Sequence, residues 1–249
     1  STFKRGIDFI NIPTTILAQV DASLGGKTGM NLGGLKNEIG VFSIAKAVLV
    51  SGEFIKTLDK ENLLSGYAEM LKHALIRDAQ SLNELMTIDF NNPDYDKLSR
   101  LICDSIAVKN YFVTEDPKEQ SVRKALNFGH TFGHAFETFS MRHNDHPILH
   151  GKAVAFGMVC ELMLSEKKCG LNHDDAKRIY EYINSQYGKM EFAESDFAEL
   201  LELMTHDKKN DGNGINFTLL PTIGEISINN IGTKEEISQV LDSYLKMNA

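Results

Sequence analysis

The stretch LLSGYAEMLKHALI, residues 63–76, carries apolar side chains at intervals of three and four residues, the spacing of one face of a helix. The same periodicity recurs in residues 98–112, 153–164, 176–187 and 197–204. Residues 58–249 are therefore predicted to form a mainly α-helical domain. Gly170 is expected to end the helix that finishes in SEKKC, and Thr233 with Glu236 to form a capping box for the last helix.

In residues 1–57, short β-favouring runs are flanked by glycine, proline and serine, a pattern typical of α/β folds. We therefore expect a remnant of an α/β domain here. Asp8–Ile12 and Ala47–Val50 are short β-favouring runs, and a glycine-rich loop is predicted between them, in SLGGKTGMNLGG (23–34). GINFTLLPTIGEISI (214–228) is predicted to form two more short strands around a turn. The chain opens at Ser1 and not at Met, so we expect that the natural protein extends upstream.

Composition excludes several classes of protein. The 249 residues carry 26 basic and 34 acidic side chains, a formal charge of -8, which disfavours general attraction to nucleic acid or to an anionic membrane. The chain has no apolar run of about 18 residues that would span a membrane. Its three cysteines form no C-x-x-C pair, which disfavours a disulfide framework or a cysteine zinc site. A reducing cytoplasm is the expected location.

Two histidines lie four residues apart in LNFGHTFGHAFE (126–137). In a helix His130 and His134 would lie about one turn apart on one face, the spacing used when both bind a metal. The segment lacks the glutamate of H-E-x-x-H, so metal-dependent proteolysis is disfavoured. Two histidines that donate to backbone carbonyls fit this segment equally well.

A carboxylate and a third histidine strengthen the metal interpretation. Glu69 lies in the apolar stretch 65–76, where an ionised carboxylate is costly unless a cation or donor meets it. His150 precedes a glycine and a long helix. One carboxylate and two imidazoles suit catalytic zinc with an open coordination position. Alternatively, Glu69 pairs with Lys72 or His73 on its own helix, and His150 is a hydrogen-bonding residue at a helix start.

The loop DASLGGKTG (21–29) ends like a phosphate-binding Walker loop, but Asp21 stands where the first glycine should be. A nucleoside triphosphate is therefore disfavoured. Lys27 among glycines nevertheless places a cation on a backbone that permits close ligand approach, unless it is simply solvated. Further cations stand beside polar residues and could converge on an anionic substrate, although solvated faces remain the alternative: Lys72, Lys109, Arg123 with Asn127, and Lys208 and Lys209 in HDKKNDG.

Together these blocks resemble the 3-dehydroquinate synthases of the sugar-phosphate cyclase superfamily. The resemblance covers nearly the whole chain, in family order. Its blocks are IPTTILAQVDASLGGKTGMN (12–31), SGYAEMLKH (65–73), ALNFGHTFGHAFE (125–137), LHGKAVAFGMV (149–159) and DKKNDG (207–212). One departure is Lys152, where the family commonly has a glutamate after His-Gly.

The resemblance implies a dehydroquinate synthase-like fold with the active site in a cleft between two domains. Residues 1–57 would be the C-terminal portion of a Rossmann-like NAD-binding domain whose N-terminal part is absent, and residues 58–249 the metal- and substrate-binding domain. Glu69, His130 and His150 resemble the ligands of Zn²⁺ or Co²⁺. His134 resembles a substrate contact.

Other residues acquire expected roles from the same resemblance. Arg5 is similar to an arginine that reaches the site of a neighbouring subunit in a homodimer. The expected NAD contacts are Thr14, Thr15, Lys27, Lys36 and the segment Phe54–Thr57. The expected substrate-pocket residues are Asp21, Lys27, Asn37, Lys72, Lys109, Glu119, Arg123, Asn127, His134, Lys208 and Lys209.

The implied reaction converts 3-deoxy-D-arabino-heptulosonate 7-phosphate to 3-dehydroquinate and phosphate in the shikimate pathway, with NAD consumed and regenerated in each turnover. The alternatives are a related cyclase that makes an inosose or a valiolone, and an NAD-dependent polyol dehydrogenase. A noncatalytic metal-binding or dimerising fragment is the third alternative, because the family's dinucleotide loop lies upstream of Ser1.

Overall fold

The computed structural model describes residues 1–32, 35–205 and 214–247, and it leaves the side chains of residues 31–38 undescribed. The elements run in chain order as β1 (Ile10–Asn11), β2 (Lys27–Leu32), β3 (Leu35–Phe42), β4 (Ala47–Val48), α1 (Lys60–Arg77), α2 (Ala79–Leu85), α3 (Tyr95–Glu115), α4 (His130–His143), α5 (His150–Cys169), α6 (His173–Tyr187), α7 (Phe197–Thr205), β5 (Ile215–Leu219), β6 (Ser227–Gly232) and α8 (Lys234–Met247).

The strands near the N-terminus form two small sheets. β1 pairs with β4 in parallel, and β2 pairs with β3 as an antiparallel hairpin. The prediction of a glycine-rich loop across residues 23–34 is therefore wrong, because residues 27–32 form β2. Glycine is part of the reason: Gly29 pairs with Gly40, and a Cβ on Gly40 would lie 2.1 Å from the backbone oxygen of Thr28. Two glycines thus permit the close approach of these strands.

Helix α5 is the centre of the helical region. Its side chains from Ala153 to Leu164 are buried on every side, as expected of a helix enclosed by other elements. It packs against α1, α4, α6, α8 and β5. The five predicted helical stretches are confirmed in α1, α3, α5, α6 and α7. α2 was not predicted.

The predicted element ends are confirmed by their capping geometry. Gly170 follows α5 with φ of 77°, the left-handed conformation that favours glycine. The backbone N–H of Glu236 donates to Thr233 Oγ1 over 3.2 Å, and that of Thr233 donates to Glu236 Oε2 over 2.8 Å. β5 and β6 form the predicted antiparallel pair.

The region before α1 joins the helices through the helical turn Ala18–Ala22, which contacts α1 and α3. Val20 in this turn is buried, and so is Ile16 just before it. Ile10, Ile12 and Phe42 are instead exposed. Across the described helices, none is long and apolar enough to cross a membrane.

Candidate functional site

Three helices bring one carboxylate and two imidazoles together. Glu69 lies within α1 and is fully buried, whereas His130 and His150 are the first residues of α4 and α5. Nε2 of His130 lies 3.4 Å from Glu69 Oε1, and Nε2 of His150 lies 3.6 Å from the same oxygen. One donor atom from each of the three side chains falls within 4.8 Å of the others. The cluster therefore has the composition and the size of a metal site.

The orientation of each imidazole is fixed from its far side. His130 Nδ1 lies 3.1 Å from the carbonyl oxygen of Phe128, and His150 Nδ1 lies 3.0 Å from Glu137 Oε2. Both partners only accept, so each ring donates through Nδ1 and turns its Nε2 toward Glu69. This is the arrangement of metal-binding histidines supported by an outer hydrogen bond. Glu137 was missed from the sequence.

The pKa values of all three residues in the cluster are strongly shifted. Burial opposes ionisation of Glu69, but Lys72 and His130 outweigh burial and hold its pKa well below the usual range. Burial and Lys72 lower the pKa of His130 to about 4. Burial also disfavours the imidazolium of His150, but hydrogen bonds to Glu137 and Glu69 outweigh it and raise that pKa to about 9. The Glu69 carboxylate and the neutral His130 imidazole are the forms that bind a cation, whereas the His150 imidazolium must release its Nε2 proton when a cation binds.

Glycines let the three helices approach closely enough to form the cluster. A Cβ on Gly151 would lie 1.8 Å from the backbone oxygen of Ser65 on α1. A Cβ on Gly157 would lie 2.0 Å from the backbone oxygen of Gly129, just before α4. Gly129 itself has φ of 80° and faces Met158 of α5. The glycines beside the histidines thus serve the packing of α4 against α5.

A cavity of about 520 Å³ opens beside the histidines. Its lining includes these predicted residues: Asp21, Lys27, Lys72, Lys109, Glu119, Arg123, Asn127, His130, His134 and His150. The rings of His134 and His130 are 5.3 Å apart between centroids. Residues separated by up to 129 positions in the chain, from Asp21 to His150, therefore face one space.

The lysines of the cavity are paired with carboxylates. Lys72 pairs with Glu69, Lys109 with Asp21 and Lys27 with Glu119. Burial opposes ionisation of Asp21, but Lys109 outweighs it and lowers the pKa of Asp21 to about 2. Both alternatives weighed for Glu69 are thus present: it pairs with Lys72 and it faces two imidazoles.

The segment between α3 and α4 carries an arginine and two further polar residues to the cavity. Asp116 accepts hydrogen bonds from the backbone N–H groups of Gln120, Ser121 and Arg123. The guanidinium of Arg123 is almost fully buried and donates to the carbonyl oxygens of Pro117 and Gly25. Asn127 Nδ2 donates to Glu119 Oε1 over 2.9 Å.

The remaining predicted residues lie elsewhere or outside the description. Arg5 is exposed in the turn Phe3–Arg5 and does not line the cavity. Thr14 and Thr15 follow β1, and the segment Phe54–Thr57 follows β4. Gln19 joins the two loops, because its Nε2 donates to the carbonyl oxygens of Pro13 and Ser51. The side chains of Lys36 and Asn37, and all of Lys208 and Lys209, lie outside the described residues.

Lys152, which replaces the glutamate common in the family, points away from the histidines. Its Nζ lies 5.9 Å from the ring centroid of Phe156, and it lines a second cavity with Lys60, Glu61 and Tyr187. It is absent from the lining of the cavity beside His150.

Comparison with known proteins gives consistent matches along the chain. Residues 1–65 match the profile of the 3-dehydroquinate synthase N-terminal domain, and residues 66–210 match that of the C-terminal domain. A 3-dehydroquinate synthase of Parabacteroides distasonis is 52% identical over 244 residues, covering 98% of this chain and 69% of that protein. One from Streptococcus sanguinis is 37% identical, covering 94% and 66%. The chain thus spans about two thirds of the length of these relatives.

Solved structures share the fold. A 2-epi-5-epi-valiolone synthase from Streptomyces hygroscopicus subsp. jinggangensis, with NAD⁺ and Zn²⁺ bound, superposes with a TM-score of 0.86 at 23% identity, covering 99% of this chain and 69% of that one. A 2-deoxy-scyllo-inosose synthase complexed with carbaglucose-6-phosphate, NAD⁺ and Co²⁺ gives 0.83 at 25% identity, covering 96% and 67%.

Proposed function

The chain belongs to the 3-dehydroquinate synthase family, and we propose that it contributes the metal- and substrate-binding part of a lyase that converts 3-deoxy-D-arabino-heptulosonate 7-phosphate to 3-dehydroquinate and phosphate. This reaction belongs to the shikimate pathway, which leads to chorismate and the aromatic amino acids. Relatives with the name of this enzyme reach 52% identity over 98% of the chain.

One observation carries the proposal: His130 and His150, which converge with the buried Glu69, line a cavity that Lys72, Lys109 and Arg123 also line. The substrate is a polyhydroxylated acid with a phosphate, so it needs a cation for its hydroxyls and positive groups for its anionic ends. An acidic chain that places Lys27, Lys72, Lys109 and Arg123 around one cavity meets this need.

The cofactors of the proposed enzyme are NAD and a divalent metal, Zn²⁺ or Co²⁺. Glu69, His130 and His150 would hold the metal, and one carboxylate with two imidazoles suits either ion. When bound, the metal acts as a Lewis acid that makes a nearby hydroxyl more acidic, and NAD accepts and returns a hydride.

The protein's own residues bind and orient the substrate. Arg123, Lys27 and Asn127 are proposed to bind phosphate oxygens, with His134 as a further donor from α4. Lys27 then exchanges Glu119 for the phosphate, which offers more acceptor oxygens. Lys109, Asp21 and Lys72 fix the carbon skeleton. Asn37, Lys208 and Lys209 are proposed to complete this pocket.

The nucleotide is proposed to bind through residues 1–57, as the C-terminal portion of a Rossmann-like domain. Thr14 and Thr15 follow the carboxyl end of β1, and Phe54–Thr57 follow that of β4, its parallel neighbour. Ligands of parallel sheets bind at this edge. Lys27 and Lys36 are proposed as further contacts. Arg5 is proposed to reach the partner subunit of a homodimer, where its exposed position allows contact with a second site.

The test is phosphate release from 3-deoxy-D-arabino-heptulosonate 7-phosphate by the protein that contains this chain, supplied with NAD and Zn²⁺. We expect one phosphate per product and no net NADH. Glucose 6-phosphate and sedoheptulose 7-phosphate, which lack the carboxylate, serve as matched controls and should give no turnover.

Three outcomes contradict the proposal. Turnover of either control sugar in preference to the acid indicates another cyclase. Accumulation of NADH indicates a polyol dehydrogenase. Metal binding without NAD binding or turnover by the protein that contains this chain indicates a noncatalytic metal-binding role.

A further inference from the structure

Glu161 is a buried carboxylate that the proposed chemistry does not use. It lies in the middle of α5 and is completely inaccessible to solvent. Its neighbours in the sequence, MVCELML (158–164), are apolar apart from this one acid. A carboxylate in such surroundings is costly unless several donors meet it. The hydrogen-bond donors around Glu161 therefore indicate its role.

Both oxygens of Glu161 accept hydrogen bonds from the start of α4. Oε2 accepts from the backbone N–H of Gly129 over 2.7 Å, and Oε1 accepts from that of Thr131 over 3.0 Å and of Phe132 over 3.5 Å. These belong to the N–H groups that a helix leaves without an internal partner. Gly129 at the N-cap has no side chain that could accept them. Glu161 therefore caps α4 from the neighbouring helix.

This cap surrounds His130. The bonded N–H groups of Gly129 and Thr131 lie on either side of that residue, and Phe128, whose carbonyl oxygen holds His130 Nδ1, precedes them. Glu161 thus helps to fix the position of the His130 backbone relative to α5.

Helix α5, which contains Glu161, begins with His150, eleven residues before Glu161. Helix α5 carries His150 at its first residue, and Glu161 in its middle binds the first turn of α4. Glu161 therefore couples the positions of the His130 and His150 imidazoles. We propose that Glu161 is a positioning residue for the metal centre: it sets the spacing between His130 and His150 and so raises the affinity of the centre for a divalent ion. The inference rests on the metal centre of the proposed function.

The experiment measures Co²⁺ binding by the chain, through the visible absorption of bound Co²⁺, and needs no substrate. Glu161→Ala should weaken Co²⁺ binding by roughly 10- to 100-fold, the range for supporting residues of metal sites. Glu161→Gln keeps one acceptor oxygen and should recover part of the affinity. Leu164→Ala is the matched control, because it also creates a cavity in buried α5, and it should leave Co²⁺ affinity unchanged.

Amide hydrogen exchange without metal provides the second readout. In Glu161→Gln the amides of Gly129, Thr131 and Phe132 should exchange faster relative to that of Phe136 in the same helix, and in Leu164→Ala this ratio should stay constant. Unchanged exchange at those three amides overturns the cap. Faster exchange with unchanged Co²⁺ affinity, or equal loss of affinity in Leu164→Ala, overturns the positioning role.

These failures differ from failure of the proposed function. Absence of Co²⁺ binding in the unaltered chain overturns the metal centre, and with it both the proposed function and this inference. Co²⁺ binding that is indifferent to residue 161 overturns this inference alone.

Discussion

His150 and Glu137 form a hydrogen bond of 3.0 Å between Nδ1 and Oε2, and it turns the other imidazole nitrogen toward Glu69. Glu137 lies on α4 and His150 opens α5, so the contact also joins the two helices. Because Glu137 holds Nδ1 as a donor, Nε2 is the nitrogen left to bind a metal once it has released its proton. One side chain outside the cluster of Glu69, His130 and His150 thus determines the direction of one of its imidazoles.

Glu137→Gln should weaken Zn²⁺ or Co²⁺ binding by about 10-fold or more, because the outer hydrogen bond that orients His150 loses its charge. Competition with a chromophoric chelator measures the affinity. Glu199→Gln is the matched control, since Glu199 bonds His143 at the far end of α4 over 2.9 Å. Equal affinities of the Glu137 and Glu199 variants would contradict the assigned role.

His130 and His134 should respond differently to removal, although they lie on one face of α4. His130→Ala removes an imidazole whose nitrogen lies 3.4 Å from Glu69 and should abolish both metal content and turnover. His134→Ala should keep the metal and lose turnover, because His134 is proposed to contact the substrate. Metal analysis of the two purified variants, with the phosphate-release assay, separates the roles. Full metal content in His130→Ala would show that the ligand assignment is wrong.

Local physical reasons were enough to predict five helical stretches and to single out Glu69, whereas most pocket residues took their expected roles from the family resemblance. Glu69 could be recognised because a carboxylate within an apolar helix needs a partner, and helix periodicity survives in any fold. Glu137 and Glu161 could not be assigned, because their roles depend on how α4 packs against α5. The β2–β3 hairpin was not predicted, because its glycines are typical of a loop. Their role in strand pairing depends on Gly29 facing Gly40, which the sequence alone does not show.

The pairing of the lysines was also beyond local reasoning. Lys109 meets Asp21 across 88 positions and Lys27 meets Glu119 across 92. Spacing along a helix says nothing about such contacts. The Lys109–Asp21 pair, for example, forms where the turn Ala18–Ala22 packs against α3.

Gly151→Ala should damage both the fold and the site. The added Cβ would lie 1.8 Å from the backbone oxygen of Ser65, so α5 must move away from α1 and carry His150 away from Glu69. We expect a loss of about 3 kcal/mol in the free energy of unfolding, measured with denaturant, and weaker metal binding. Gly52→Ala is the control, because its Cβ would meet the side chain of Ser99 and no backbone atom. Equal stability of the two variants would contradict the close packing.

The stability of the metal-free protein should depend on pH through His73. Burial and Lys72 lower the pKa of His73 to about 3 from 6.5, an effect that Glu69 and Asp21 partly oppose, and Lys109 adds to it. Between pH 6.5 and about 3 the unfolded chain therefore binds a proton that the native protein does not bind. This part of the stability is complete above pH 6.5 and falls by about 1.4 kcal/mol per pH unit below it.

His73→Asn should therefore reduce the slope of the free energy of unfolding against pH by about one proton between pH 5.0 and 6.0, as measured by urea titration with a chelator present. Asparagine can keep a hydrogen bond to Ser105 Oγ, which lies 2.7 Å from His73 Nδ1, so the loss of packing is limited. His173→Asn alters an exposed histidine on α6 and is the matched control. An unchanged slope in His73→Asn would contradict this account. It would mean that His73 takes up a proton in the native protein as readily as in the unfolded chain, and that burial between α1 and α3 does not exclude the charge.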